Sequence, residues 1–322
     1  MWGALAVIAL HVSGAPFRAY PGRPTAGWLL ANVWNSGSRW AVPVYLLLSG
    51  YLLLGLGRRE GPWLFWRRRA TRIAVPRLFW GSVYALWYGA RTVGEVVHKV
   101  LIWPDAAYHL WFLYAVVVLY ALAPALRACL DRLSLASGAA LCAACFLPFL
   151  RIPGVPSLLR DVELPRWLEL GLPYVGYFLL GALLARGRRE GRLLWPLLGA
   201  AASLAVVVGG TALATVRQGG IGGRAFQHPL NPAVIALSFC LCLLARRAGD
   251  RFPGPALDRY APAVLGVYLV HPLVMELLGR AGIRLGLFPW WAAVPALCAC
   301  VAVLSLAAVL GIRQVPGLRR VV

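Results

Sequence analysis

The chain has 322 residues, of which 61% are hydrophobic and only 13% charged. Soluble domains are typically about 45–50% apolar and about 25% charged, which excludes a soluble enzyme, a disordered tail and a disulfide-rich secreted domain. The net charge of +21, from 32 basic and 11 acidic residues, would point to nucleic acid on a soluble chain.

In chain order, apolar runs alternate with Arg/Gly/Pro clusters. This spacing predicts an all-α polytopic membrane protein with about ten transmembrane helices. The predicted spans are 1–14, 40–57, 73–90, 110–126, 134–150, 169–185, 193–213, 231–245, 262–279 and 291–312. Met1–Gly14 is short for a crossing and runs into Pro16. Ser13-Gly14-Ala15 resembles a signal-peptide cleavage site, but no Lys or Arg precedes the apolar run. A clipped membrane helix is the preferred reading. Residues 15–38 are read as a loop. Residues 92–103, with Glu95, His98 and Lys99 on one helical face, are read as an interfacial stretch.

The charge can now be placed. Every basic residue except Lys99 is Arg, and alternate connections divide them 19 to 12, with Arg77 inside the third span. The richer set includes Arg58, Arg59, Arg67, Arg188, Arg189, Arg251 and Arg259; the poorer set includes Arg160. The positive-inside rule puts the richer set, and both termini, in the cytoplasm. Most of the +21 is thus an orientation signal, and nucleic acid is set aside.

Ionisable groups at membrane depth are costly and mark functional sites by default. His11 lies in the apolar run Met1–Val12, His109 opens the fourth span, and His271 and Glu276 lie in the ninth. Arg39 begins the second span and Arg77 lies within the third. Imidazole suits a general base near neutral pH, although a lone helical His is often a packing residue. His228 is read as a loop residue. Arg68 and Arg72 are four apart on one helical face with Arg69 adjacent. Such a cluster can bind phosphate bidentately, or merely anchor the helix at the membrane surface. Seven Cys lie nearly all in apolar runs; Cys142 and Cys145 have no His or acid nearby, so no metal site is expected.

Four ordered passages carry a family resemblance. They are the helix ending in His11-Val12; Ser38–Leu53 running into Arg68-Arg69-Ala70-Thr71-Arg72-Ile73-Ala74-Val75-Pro76; Tyr108–Tyr114 followed by Leu119–Pro124; and Leu265–Pro272. Together they resemble the acyltransferase 3 family of integral-membrane O-acyltransferases, as a single transmembrane domain over 1–322. The resemblance implies transfer of an acyl group, usually acetyl from acetyl-CoA, to a hydroxyl of a carbohydrate or glycolipid. It implies a bacterial plasma-membrane protein with acyl-CoA as substrate and no permanently bound cofactor. It makes His11 the catalytic residue, with Arg39, Arg68, Arg69 and Arg72 binding the donor. His109, Trp111, Tyr114 and His271 are assigned to the acceptor or the polar interior.

One departure concerns the first helix. Family members carry an Arg eleven residues before this His, on the same face, and here that position would immediately precede Met1. A truncated first helix is therefore expected. Acceptor specificity is expected in the outer loops 15–38, 92–108, 151–168 and 214–230. His11 could deprotonate the acceptor directly or carry the acyl group itself. A polysaccharide or lipid transporter is the main alternative, although no internal repeat of the transporter kind is found. A non-catalytic scaffold is the third reading.

Overall fold

The computed structural model describes residues 1–56, 61–102, 107–159, 162–187, 192–219, 222–248 and 260–322. Arg58, Arg59, Arg160, Arg188, Arg189, Arg251 and Arg259 of the basic loops lie outside the described residues. Among the described residues every regular element is helical.

The helices are α1 (Trp2–Val12), α2 (Gly14–Arg18), α3 (Ala26–Gly37), α4 (Ala41–Gly50), α5 (Pro62–Trp87), α6 (Val93–Val97) and α7 (Trp111–Asp131). They continue with α8 (Leu135–Phe146), α9 (Arg166–Gly171), α10 (Val175–Arg186), α11 (Leu194–Gln218), α12 (Pro232–Ala248), α13 (Val264–Arg280) and α14 (Ala293–Gln314). Short π-helical turns follow α4 at Tyr51–Gly55 and α6 at His98–Ile102, and a 3-10 segment, Gly222–Gln227, precedes α12.

All ten predicted spans fall on helical segments, but among the described residues six stretches have both the length and the apolarity to cross a membrane. They are Trp111–Asp131, Leu168–Arg186, Leu194–Gln218, Gly222–Arg247, Ala261–Arg280 and Ala293–Gln314. The remaining four differ for plain reasons. α1 and Leu135–Phe149 are short, and α4 passes into a π turn. α5 has the length, at 26 residues, but its first half holds Arg67, Arg68, Arg69 and Arg72. Of the about ten transmembrane helices expected, six of membrane length are found among the described residues. Exposed Trp2, Trp63, Trp195, Trp290 and Trp291 sit at or just before helix N-termini, as membrane-interface anchors do.

The expected loop 15–38 holds a helix, α3. Thr25 caps it, its Oγ1 accepting the Trp28 backbone N–H at 3.3 Å. Trp28 then packs on Phe17 and donates its ring N–H to the Phe17 carbonyl at 2.9 Å, fixing α3 against α2.

The chain divides into two compact units. The first comprises Met1–Tyr45, Leu150–Ser157 and Arg188–Gly311. In it α1 packs on α2, α3 and α13, while α11 packs on α3 and α12. The second comprises Leu46–Phe149, Leu158–Gly187 and Ile312–Val322. Its core is α10, where Tyr177, Phe178, Leu179 and Ala182 are fully buried. Two glycines let the chain around Gly50 meet α10 backbone to backbone. A Cβ on Gly50 would sit 1.8 Å from the Phe178 carbonyl oxygen, and one on Gly181 1.9 Å from that of Leu47. Small residues at such crossings allow close packing where no hydrophobic force drives helices together in lipid.

Candidate active site

In the first unit, α1 brings His11 in its last turn against α13. The His11 and His271 rings stack with centroids 5.2 Å apart and 27° between planes. His11 is half-buried and His271 fully buried. Nδ1 of His271 lies 2.7 Å from the Tyr268 carbonyl oxygen and 3.2 Å from that of Val267. Arg39 and Arg18 are within electrostatic reach of His11, and Arg18 and Arg224 within reach of Arg39. The surroundings of this histidine pair are thus electropositive and suited to a developing negative charge.

A buried side-chain network supports the pair. Arg39 Nη2 donates to Asn35 Oδ1 at 2.5 Å and to Gln227 Oε1 at 2.7 Å. Asn35 Nδ2 donates to the Leu10 carbonyl at 2.8 Å and to Ser13 Oγ at 3.2 Å, gripping the turn of α1 that bears His11. Gln227 Nε2 donates to Ser36 Oγ at 2.8 Å, and Ser36 donates to Asn32 Oδ1 at 2.7 Å. Asn32 closes the chain on the Val208 carbonyl of α11 at 3.0 Å. Buried polar groups of this kind cost free energy unless satisfied, so a connected network fixes one geometry. Arg39 Nε is buried with no hydrogen-bond partner among the described residues. Nη2 is thus committed to the two amide oxygens, while the adjacent Nε–H is an unused buried donor.

Sequence reading reached His11, Arg39 and His271 but missed Asn32, Asn35, Ser36 and Gln227. Three of these carry a signal. Positions 32, 35, 36 and 39 recur at helical spacing, which makes a polar stripe on one face of α3 and its extension. Gln227 has no such signal, because its contact with Arg39 spans 188 positions.

The second unit holds the remaining predicted residues. Arg68 and Arg72 of α5 are exposed; the Arg69 guanidinium lies 4.3 Å above the Phe65 ring. Arg69 also lines a cavity of about 250 Å³ with Trp66, Ile73, Ala74, Val117, Tyr120 and Ala121. Tyr120 hydrogen-bonds Ser49 and is within electrostatic reach of Arg69 and Arg72. His109 is buried edge-on to Tyr84, at 4.9 Å between centroids. Trp111 is half-buried, 5.3 Å from the Tyr174 ring. The Tyr114 hydroxyl donates to the Val100 carbonyl at 2.6 Å. Arg77 donates to that same carbonyl and lies 3.7 Å over the Tyr114 ring. Tyr114 is thus committed to holding the His98–Ile102 turn.

Of the other groups, Glu276 pairs with Arg280 at 2.9 Å on the surface of α13, and His228 Nδ1 accepts the Leu230 N–H at 3.1 Å. All seven cysteines are free thiols, and no cluster of metal-ligating side chains occurs among the described residues.

Neither a curated protein nor a solved structure gives a significant match. A family model described as an acyltransferase domain matches residues 1–309. The chain, helical and with six membrane-length apolar stretches among its described residues, belongs to the acyltransferase 3 family and is an integral-membrane acyltransferase.

Proposed function

We propose that this protein moves an acyl group, acetyl in the first instance, from acyl-CoA to a hydroxyl of a carbohydrate or glycolipid in a bacterial plasma membrane. The observation that carries the reading is the His11–His271 pair beside the oriented Arg39 guanidinium.

The chemistry follows from these groups. His11 takes the proton of the acceptor hydroxyl as that oxygen attacks the thioester carbonyl carbon. The carbonyl oxygen becomes negative, and the Arg39 guanidinium, whose Nε–H is an unused donor, is placed to stabilise that charge. The carbon–sulfur bond then breaks, and the His11 imidazolium returns its proton to the departing thiolate. The products are the acylated acceptor and free CoA thiol. Fixing Arg39 through Asn35 and Gln227 in advance removes the cost of reorganising it during the reaction.

Donor recognition is assigned to α5. Arg68 and Arg72 share an exposed face, and guanidiniums match phosphate oxygens in pairs. Arg39 is assigned to the thioester end of the donor. On the acceptor side, Trp111 offers a partly open ring face of the kind on which sugars stack, while Tyr114 holds the Val100 carbonyl and His109 packs edge-on to Tyr84. The excess of Arg in alternate connections supports an orientation with both termini cytoplasmic.

The test is transfer by the purified protein in nanodiscs, supplied with radiolabelled acetyl-CoA and bacterial surface glycans. Acceptor-dependent release of CoA thiol with label on the glycan is expected. Release of neither product with any glycan, from a folded preparation, rejects the reading.

A further inference from the structure

The His271-Pro272 pair on α13 forms a device that neither residue type explains alone. In an α-helix the N–H of residue 272 would donate to the carbonyl of residue 268. Proline has no N–H, so Pro272 leaves the Tyr268 carbonyl without its helical donor. His271 supplies one: its Nδ1 lies 2.7 Å from that oxygen, with the Val267 carbonyl oxygen at 3.2 Å. Both neighbours are carbonyl oxygens, which can only accept. Nδ1 must therefore carry the proton, and a neutral ring keeps its lone pair on Nε2.

We propose that His271 is a positioning residue for His11, and that Pro272 sets it by freeing the Tyr268 carbonyl. The two rings stack at 5.2 Å, so the state of one is felt by the other. The elements packed on α1 bring Arg18, Arg39 and His271 toward His11. Arg18 and Arg39 are cations, and a protonated His271 would add a third. Fully buried, where a charged ring would be costly, His271 stays neutral with its proton held on Nδ1, and so offers His11 an electron-rich face while His11 holds a proton. That contribution exists only when His11 is charged, so it acts on kcat and leaves KM alone. The proposal rests on the acyltransferase reading of His11.

Ring-nitrogen NMR of 15N-histidine-labelled protein in micelles tests it, with transfer kinetics on acetyl-CoA measured in parallel. Wild-type His271, identified by loss of its signal in His271→Phe, is expected as a single Nδ1–H tautomer. Pro272→Ala restores the helical N–H to the Tyr268 carbonyl and should mix the tautomers. In that variant kcat should fall by about 10–100-fold at unchanged KM for acetyl-CoA. Adding Pro272→Ala to His271→Phe should cost nothing more in kcat, since Pro272 acts through His271. A merely structural role predicts the opposite, because replacing a mid-helix proline favours the helix and leaves kcat intact.

An Nε2–H tautomer in active wild-type enzyme overturns the proposal while leaving the acyltransferase reading standing. So does a tautomer change without loss of kcat, or a further loss in the double variant. If Pro272→Ala fails to fold, the wild-type tautomer and the kcat-against-KM split of His271→Phe still decide. A correct tautomer in a folded protein that transfers nothing contradicts the functional reading, and the positioning role with it.

Discussion

Arg39 and Arg77 are both guanidiniums carried into apolar helical surroundings, and they are held by different chemistry. Arg39, in the first unit, donates from one nitrogen to the side-chain amides of Asn35 and Gln227. Arg77, in the second, is held by the Val100 backbone carbonyl and the face of the Tyr114 ring. Amide side chains can be re-aimed, so the Arg39 geometry depends on residues scattered along the chain. A carbonyl in a helical turn cannot be re-aimed. The first arrangement positions a cation for chemistry; the second uses a cation to pin a turn.

Five substitutions can break or sharpen that contrast. Gly181→Ala, outside both networks, should have the largest effect. Its new Cβ would meet the Leu47 carbonyl oxygen at 1.9 Å, and no rotamer can relieve a backbone clash. Overpacking usually costs about 1–3 kcal/mol and more where backbone must move, so little folded protein is expected by size exclusion. A monodisperse, heat-stable variant would refute the backbone-to-backbone crossing.

Arg39→Ala comes next. It orphans two buried amide oxygens, each costing about 1–3 kcal/mol, and should abolish transfer. Arg77→Ala should cost less, about 1–2 kcal/mol, because Tyr114 still donates to Val100, and transfer should survive. Thermal unfolding in detergent orders the two, and the contrast fails if Arg77→Ala is the more damaging. The smallest stability effect belongs to Arg68→Gln and Arg72→Gln, which are exposed and should stay within about 0.5 kcal/mol of wild type. Losing a charge-assisted contact should still raise KM for acyl-CoA about tenfold. An unchanged KM in both removes α5 from donor recognition.

The helices were legible because their signal is local. Every predicted span coincides with a helical segment, since runs of Leu, Val and Ala without charges have few other structures available in lipid. Membrane length was less legible, because α5 reads as a span only when its arginine-rich first half is cut off. α3 was hidden for the opposite reason. Pro21-Gly22-Arg23-Pro24 and the polar residues Asn32, Asn35 and Ser36 read as a loop, yet Asn32, Asn35 and Ser36 are the buried stripe that supports the site. A period-3.6 reading of polar rather than apolar residues would have found it. The stacking of His11 on His271 and the contact of Gln227 with Arg39 were beyond sequence, since both join segments far apart in the chain. The role of Pro272 lay between these cases. Its effect on the Tyr268 carbonyl is dictated locally, but only the structure shows His271 taking up that carbonyl.

The central claim is that His11 handles the proton in acyl transfer, and single-turnover transfer by His11→Ala in nanodiscs tests it most directly. The variant should unfold at the wild-type temperature, bind acetyl-CoA as before, and transfer acetyl about 10²–10⁴-fold more slowly. Wild-type transfer rates from a folded His11→Ala protein would contradict the account.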